Sequence, residues 1–170
     1  MQHNLRTEKL PVGKTKKIVS RKAIHIEWGD CDPAQIVYYP RYLNYFDACT
    51  TALFKKAGLS KREMLKTYQI IGIPMVDLRV SFMAPSRFSD DVMVESEATE
   101  WGRCSFCIRH KLFNKGVLAV ECLETRVWAG VSAADPEKIE SKPVPREVVE
   151  KFSGAEKRGR ARENRQRKKR

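Results

Sequence analysis

Wound as a helix, the segment from Arg41 to Ala57 is apolar around most of its circumference. Leu43, Phe46, Leu53 and Ala57 recur at helical spacing, with Tyr42, Tyr45, Cys49 and Ala52 beside them. A helix of that kind must be covered on most sides, and Gly58 is a suitable C-terminal stop. The remaining patterns say what covers it. Ile18 to Trp28 alternates around Ile24, Ile26 and Trp28, as a half-buried strand does, and Gly29 to Pro40 reads as a loop. A shorter, more polar helix is predicted near Lys61 to Tyr68. Strands are then predicted over Pro74–Ala84, Asp91–Trp101, Ser105–Phe113 and Val117–Val131, with Asn114-Lys115-Gly116 as a hairpin turn. A Pro-rich linker and a short helix near Pro145 to Phe152 complete the pattern, which has no internal repeat. One strand, one long helix and four consecutive strands make an α+β domain, its antiparallel sheet wrapped over the helix. One helix cannot cover both faces of such a sheet. The exposed face or an edge is therefore expected to meet a second copy of the chain.

With 170 residues and 42% hydrophobic composition, the chain suits one folded domain, placed at 18–153. The net charge of +12 would suggest a nucleic-acid binder if it were spread evenly. It is not. Met1 to Lys22 carries +6 and Glu156 to Arg170 carries +7, leaving the interior at −1. Residues 1–17 are expected to be a flexible basic extension and 154–170 a disordered basic tail. Charge alone would let the tail touch polyanions such as RNA or anionic lipid, or it is simply a solvated terminus. No stretch approaches the roughly 18 to 20 apolar residues of a bilayer span, and the N-terminus lacks the apolar core of a secretory signal. No membrane association and a cytoplasmic location are expected. Five scattered cysteines, Cys31, Cys49, Cys104, Cys107 and Cys122, suit buried thiols better than a disulfide framework. The Cys104–Cys107 pair has no second pair to complete a metal site, so no metal is expected.

The segment that can carry chemistry runs from Ile26 to Tyr42. It sets Asp30 and Asp32 in a loop directly before a buried helix. A helix N-terminus offers unpaired N–H groups and about half a positive charge, enough to polarise a carbonyl on its way to an oxyanion. A carboxylate beside that electrophile can attack an acyl carbon or deprotonate a water that does so. The same two aspartates also suit plain turn-forming and capping roles. Asp47, mid-helix between Phe46 and Ala48, needs either an ionic partner or a function. His25 and His110 lie on strands and read as structural.

The run Gly29-Asp30-Cys31-Asp32-Pro33-Ala34, then Ile36-Val37-Tyr38-Tyr39-Pro40 and Tyr42, closely resembles the signature of the 4-hydroxybenzoyl-CoA thioesterase family. Tyr45 to Ala48, Ile71 to Pro74, Ser81-Phe82 and Glu100 to Phe106 resemble it too, so that the likeness covers roughly Ile24 to Trp128. The resemblance implies a hotdog fold and hydrolysis of an acyl-CoA thioester, without a cofactor beyond the coenzyme A of the substrate. It also implies homodimers with active sites at the subunit interface, commonly assembled into homotetramers. Asp32 then matches the catalytic carboxylate, acting as nucleophile or general base. Tyr39 matches the residue whose N–H polarises the thioester carbonyl. Asp47 matches the acceptor of an aromatic hydroxyl, and Arg103 a cation that meets CoA phosphates. Tyr42 joins them as a substrate-binding residue, while Ser81, Phe82, Ser105 and Phe106 read as packing residues.

Two positions depart from the pattern. Gln35 stands where the family often has Gly, and Gly102 replaces one of two adjacent arginines. The tyrosines at 38, 39, 42 and 45 favour a benzoyl-type acyl group. A short- or medium-chain aliphatic thioesterase and a non-catalytic acyl-CoA-binding module remain the alternatives. The sequence has no G-x-S-x-G, phosphate loop or H-E-x-x-H. It has no Glu between Arg41 and Ala57, where the other main hotdog thioesterase type carries its catalytic residue. No His follows Asp32 before His110, as hotdog hydratases would require.

Overall fold

The computed structural model describes residues 17–153; the basic extension up to residue 16 and the basic tail from residue 154 lie outside the described residues. Strand β1 (Val19–His25) leads through a single 3₁₀ turn at Trp28–Asp30 into helix α1 (Tyr39–Lys56), followed by helix α2 (Lys61–Tyr68). Then come strands β2 (Met75–Phe82), β3 (Asp91–Trp101), β4 (Ser105–Asn114) and β5 (Val117–Val127). Two short strands, β6 (Ala129–Val131) and β7 (Ile139–Ser141), and helix α3 (Arg146–Phe152) finish the chain. The five long strands form one antiparallel sheet in the order β1-β3-β4-β5-β2. The expected α+β architecture is therefore present, and its register decides what reaches the site.

Alternation sorts each strand into two faces. Val92, Val94, Ser96 and Ala98 of β3, and Phe106, Ile108, His110 and Leu112 of β4, are buried. On β5 the buried parity runs Val120, Cys122, Glu124 and Arg126. Helix α1 buries Tyr42, Phe46, Cys49, Thr50, Leu53 and Phe54, with Phe46 stacked on His110 at 5.0 Å between ring centroids. The opposite sheet face carries cross-strand charge pairs, Arg21–Glu95 at 2.6 Å and Arg109 near Glu97 and Glu121 at 3.6 and 3.9 Å. That face suits water. The helix is covered on one side only, because Asn44, Asp47 and Thr51 face outward in the single chain.

Several boundaries differ from the sequence reading. The first strand ends at His25 and not at Trp28, which is 74% exposed in the 3₁₀ turn. The helix begins two residues earlier, at Tyr39, because Pro40 fits the first turn, where its missing N–H costs nothing. The last long strand breaks at Trp128, whose buried side chain and N–H bond to the Cys104 carbonyl turn the chain out of the sheet. Residues beyond it pair with β7 instead. The hairpin turn lies at Lys115-Gly116, both at positive φ of 50° and 81°, the two-residue type whose twist matches its strands.

Candidate active site

The loop between β1 and α1 uses its two aspartates differently. Asp30 is committed to structure: Oδ2 accepts the Glu27 N–H at 3.1 Å, and Oδ1 lies 3.6 Å from Arg41 Nε. Arg41 also donates to the Gly29 carbonyl at 3.0 Å, tying the loop to the first turn of α1. Asp32 sits in a tight return. Its N–H donates to the Ile36 carbonyl at 2.9 Å and its carbonyl accepts the Gln35 N–H at 2.8 Å. Oδ1 accepts the Ala34 N–H at 2.8 Å, an Asx turn that fixes the side chain. Oδ2 has no partner among the described residues. Gln35 takes φ 62°, so the residue standing at the family's glycine position keeps a left-handed backbone.

Beside Asp32, the first turn of α1 supplies donors. Pro40 has no N–H, and the Arg41 N–H is taken by the Tyr38 carbonyl at 2.8 Å. The Tyr39 N–H therefore remains for a ligand, at the positive end of the helix. Asp32, Tyr39, Tyr42, Val37, Phe82 and Met83 line one open pocket of about 480 Å³. Tyr42 is 3% exposed and forms the pocket wall against Phe82, ring centroids 5.7 Å apart. Burial pushes its hydroxyl pKa above the ordinary value. Of the expected packing residues, Phe106 is buried, but Phe82 is 54% exposed at the end of an edge strand and serves the pocket instead.

The other candidates lie elsewhere. Asp47 is two helical turns beyond Tyr39, about 12 Å along the axis, and lines a separate small cavity of about 30 Å³ with Thr51, Lys61, Ile73 and Arg126. Its Oδ1 accepts Arg126 Nη2 at 2.9 Å. Arg103 lies in the turn between β3 and β4, its carbonyl accepting the Val144 N–H. One chain thus gathers Asp32, Tyr39 and Tyr42 but leaves Asp47 and Arg103 apart from them.

Arg126 and Glu124 were missed by the sequence reading. Their signal was parity: extending the inward Val120 and Cys122 by twos puts a Glu and an Arg inside the sheet. Arg126 Nε donates to Glu124 Oε2 at 2.7 Å. Thr50 Oγ1 donates to the same oxygen at 3.3 Å, and His110 Nε2 lies 3.6 Å from it. Ser96 Oγ and His110 Nδ1 are 2.7 Å apart. His110 is thus structural, as is His25, 2.8 Å from Asp91 at the surface. Burial alone would push the Glu124 pKa up, but hydrogen bonds from His110 and Arg126 outweigh it and hold it down at about 2. Burial also pushes Cys49 and Cys122 up to about 11 and 12, leaving inert thiols. Among the described residues, no three His, Cys, Asp or Glu side chains gather as a metal site.

An antiparallel sheet wrapped on one helix is the hotdog fold, which this chain shares with solved acyl-CoA thioesterases. The chain belongs to the thioesterase-like superfamily, whose family model it matches over residues 26–152. It is 34% identical over 131 residues to the 4-hydroxybenzoyl-CoA thioesterase of Pseudomonas sp. strain CBS-3, covering 74% of this chain and 91% of that one. The solved structure of 4-hydroxybenzoyl-CoA thioesterase from that strain matches with TM-score 0.72 at 32% identity, over 78% of this chain and 98% of the other. A gentisyl-coenzyme A thioesterase matches with TM-score 0.67 at 28% identity, over 76% and 99%. This chain is accordingly an acyl-CoA thioesterase.

Proposed function

We propose that the chain hydrolyses an aromatic acyl-CoA of benzoyl or 4-hydroxybenzoyl type to the free acid and coenzyme A. The carrying observation is the shared pocket of Asp32 and Tyr39, one offering a carboxylate oxygen and the other an N–H at a helix N-terminus. The thioester carbonyl accepts the Tyr39 N–H, which stabilises the developing oxyanion. Asp32 then acts by one of two routes. It attacks the acyl carbon and expels the CoA thiolate, leaving an anhydride that water cleaves, or it takes a proton from the water that attacks. The aromatic walls, Tyr42 and Phe82, suit a flat ring. The aromatic acyl groups in the names of the relatives support that choice.

The active unit is a homodimer. Strand β2 is an edge strand whose Met75, Val76 and Phe82, with Met83 just past its end, are exposed at 42%, 62%, 54% and 51%. An uncovered apolar edge calls for a pairing partner. Antiparallel pairing of β2 with its copy across a twofold sets the Phe82 end of one chain beside the Met75 end of the other. Met75 pairs with Arg126 in the sheet, so this brings Asp32 toward Asp47 and Arg103 of the partner subunit. The hydroxyl acceptor and the phosphate-binding arginine then complete the pocket from across the interface. A cytoplasmic setting is part of the same reading, supported by five free thiols.

The test is release of free CoA from benzoyl-, 4-hydroxybenzoyl-, phenylacetyl- and butyryl-CoA by wild type and Asp32→Asn. A loss of at least about a hundredfold on the aryl substrates is expected, the scale for removing a positioned acid–base group. Equal activity of Asp32→Asn, or faster turnover of butyryl-CoA than of the aryl substrates, would overturn the reading.

A further inference from the structure

The polar chain inside the core is dearer than stability requires. Replacing a buried ion pair by packed apolar groups is often neutral or stabilising. Yet this small core encloses Glu124 at 2% exposure and Arg126 at 7%, with His110 and Ser96 at 0% behind them. The arrangement runs in one direction. His110 Nε2 lies 3.3 Å from Thr50 Oγ1, which donates to one oxygen of Glu124, and that oxygen accepts Arg126 Nε. Arg126 Nη1 donates to the Ile73 carbonyl at 3.3 Å, and Nη2 ends the chain on Asp47 Oδ1 at 2.9 Å. The guanidinium is gripped on three sides, so its direction is fixed. The Asp47 side chain is 60% exposed, and Oδ2 has no partner among the described residues.

We propose that Arg126 is a positioning residue that holds Asp47 as an oriented hydroxyl acceptor, and that Glu124, His110, Thr50 and Ser96 hold Arg126 in turn. This rests on the aryl-CoA thioesterase reading above and adds the source of its selectivity. An ionised carboxylate with one oxygen pinned presents the other at a defined place and accepts without donating. A hydroxyl on the acyl ring supplies the proton for that bond, and an unsubstituted ring leaves Oδ2 without a donor. Preference for the hydroxylated substrate is therefore set from within the core rather than by Asp47 alone. Lysine cannot replace the arginine, because one ammonium does not reproduce the planar fork that reaches Glu124, Ile73 and Asp47 together.

The experiment measures kcat/KM for 4-hydroxybenzoyl-CoA and for benzoyl-CoA in wild type, Arg126→Lys, Glu124→Gln, Asp47→Asn and the double variant Arg126→Lys/Asp47→Asn. Wild type is expected to favour the hydroxylated substrate. Each single variant lowers that ratio on the order of tenfold, the scale of one hydrogen bond to a charged acceptor. The double variant lowers it no further than Asp47→Asn, because the two side chains act through one bond. Far-UV circular dichroism identifies folded variants. If Arg126→Lys does not fold, the near-isosteric Glu124→Gln carries the same comparison. A folded variant that loses both substrates in equal proportion would show a merely structural Arg126 and overturn the proposal. So would a wild type without preference, which would leave the thioesterase reading intact. Equal turnover of both substrates by Asp32→Asn and wild type would overturn that reading itself.

Discussion

At the scale of single residues, Gln35 and Glu124 carry opposite kinds of strain. Gln35 holds φ 62°, a region that costs a residue with a Cβ roughly 1–2 kcal/mol. Glycine relieves this but loses more chain entropy on folding, by roughly 0.5–1 kcal/mol. Gln35→Gly is therefore expected to stabilise the fold by about 0.5 kcal/mol, read as a higher urea midpoint at unchanged slope. A lower midpoint would mean that the Gln35 side chain contributes more than its backbone costs. Glu124 behaves in the other sense. Its folded pKa lies at about 2 against an ordinary 4.5, so its stabilisation is fully present above pH 4.5. It is lost as pH falls from there toward 2. The difference corresponds to an upper bound of about 3 kcal/mol. Glu124→Gln should flatten the acid limb of the stability profile in that window, measured by urea unfolding from pH 2 to 6. An unchanged acid limb would assign the acid sensitivity to other carboxylates.

At the scale of elements, Phe46 shows how one helix position joins core and site. It is fully buried and stacked on His110, so Phe46→Ala removes both a core ring and a wall of the polar chain. A loss of about 3–5 kcal/mol is expected from chemical denaturation, whereas a loss under 1 kcal/mol would mean that the sheet collapses onto the gap. The elements were legible because their signals are local. The period of α1, the strand alternation and the Lys115-Gly116 turn each reside within a few neighbouring residues. What failed to show was what depends on contact across the chain. Val117 to Val131 reads as one strand because nothing local in Trp128 says that its backbone will bond to Cys104. Phe82 reads as core until the sheet order makes β2 an edge. Asp30 and Asp32 look interchangeable until Arg41 and the Glu27 N–H occupy the first and leave the second open. Asp47 left open a partner or a function; it has the partner, Arg126, which the parity of β5 could have suggested.

At the scale of the whole molecule, the two pockets lie apart within one chain, and it is the proposed homodimer that brings them together. Within one chain, Asp32 and Tyr39 line one cavity and Asp47 and Arg126 another. The charge ladder on the outer sheet face argues against burial there, and β1 places Arg21 and Lys22 on the opposite edge. That leaves the apolar edge of β2 as the surface with most to gain from pairing. A lysine on that edge opposes pairing because its charge would have to be desolvated against the partner strand. Val76→Lys should shift the protein toward monomer by sedimentation velocity without loss of secondary structure. Aryl-CoA hydrolysis should then fall by about tenfold or more in proportion to the monomer fraction, and recover at high protein concentration by mass action. A monomeric Val76→Lys with full activity and undiminished preference for the hydroxylated substrate would mean that one chain bends Asp47 and Asp32 to the same acyl group. In that case the edge of β2 would serve stability alone.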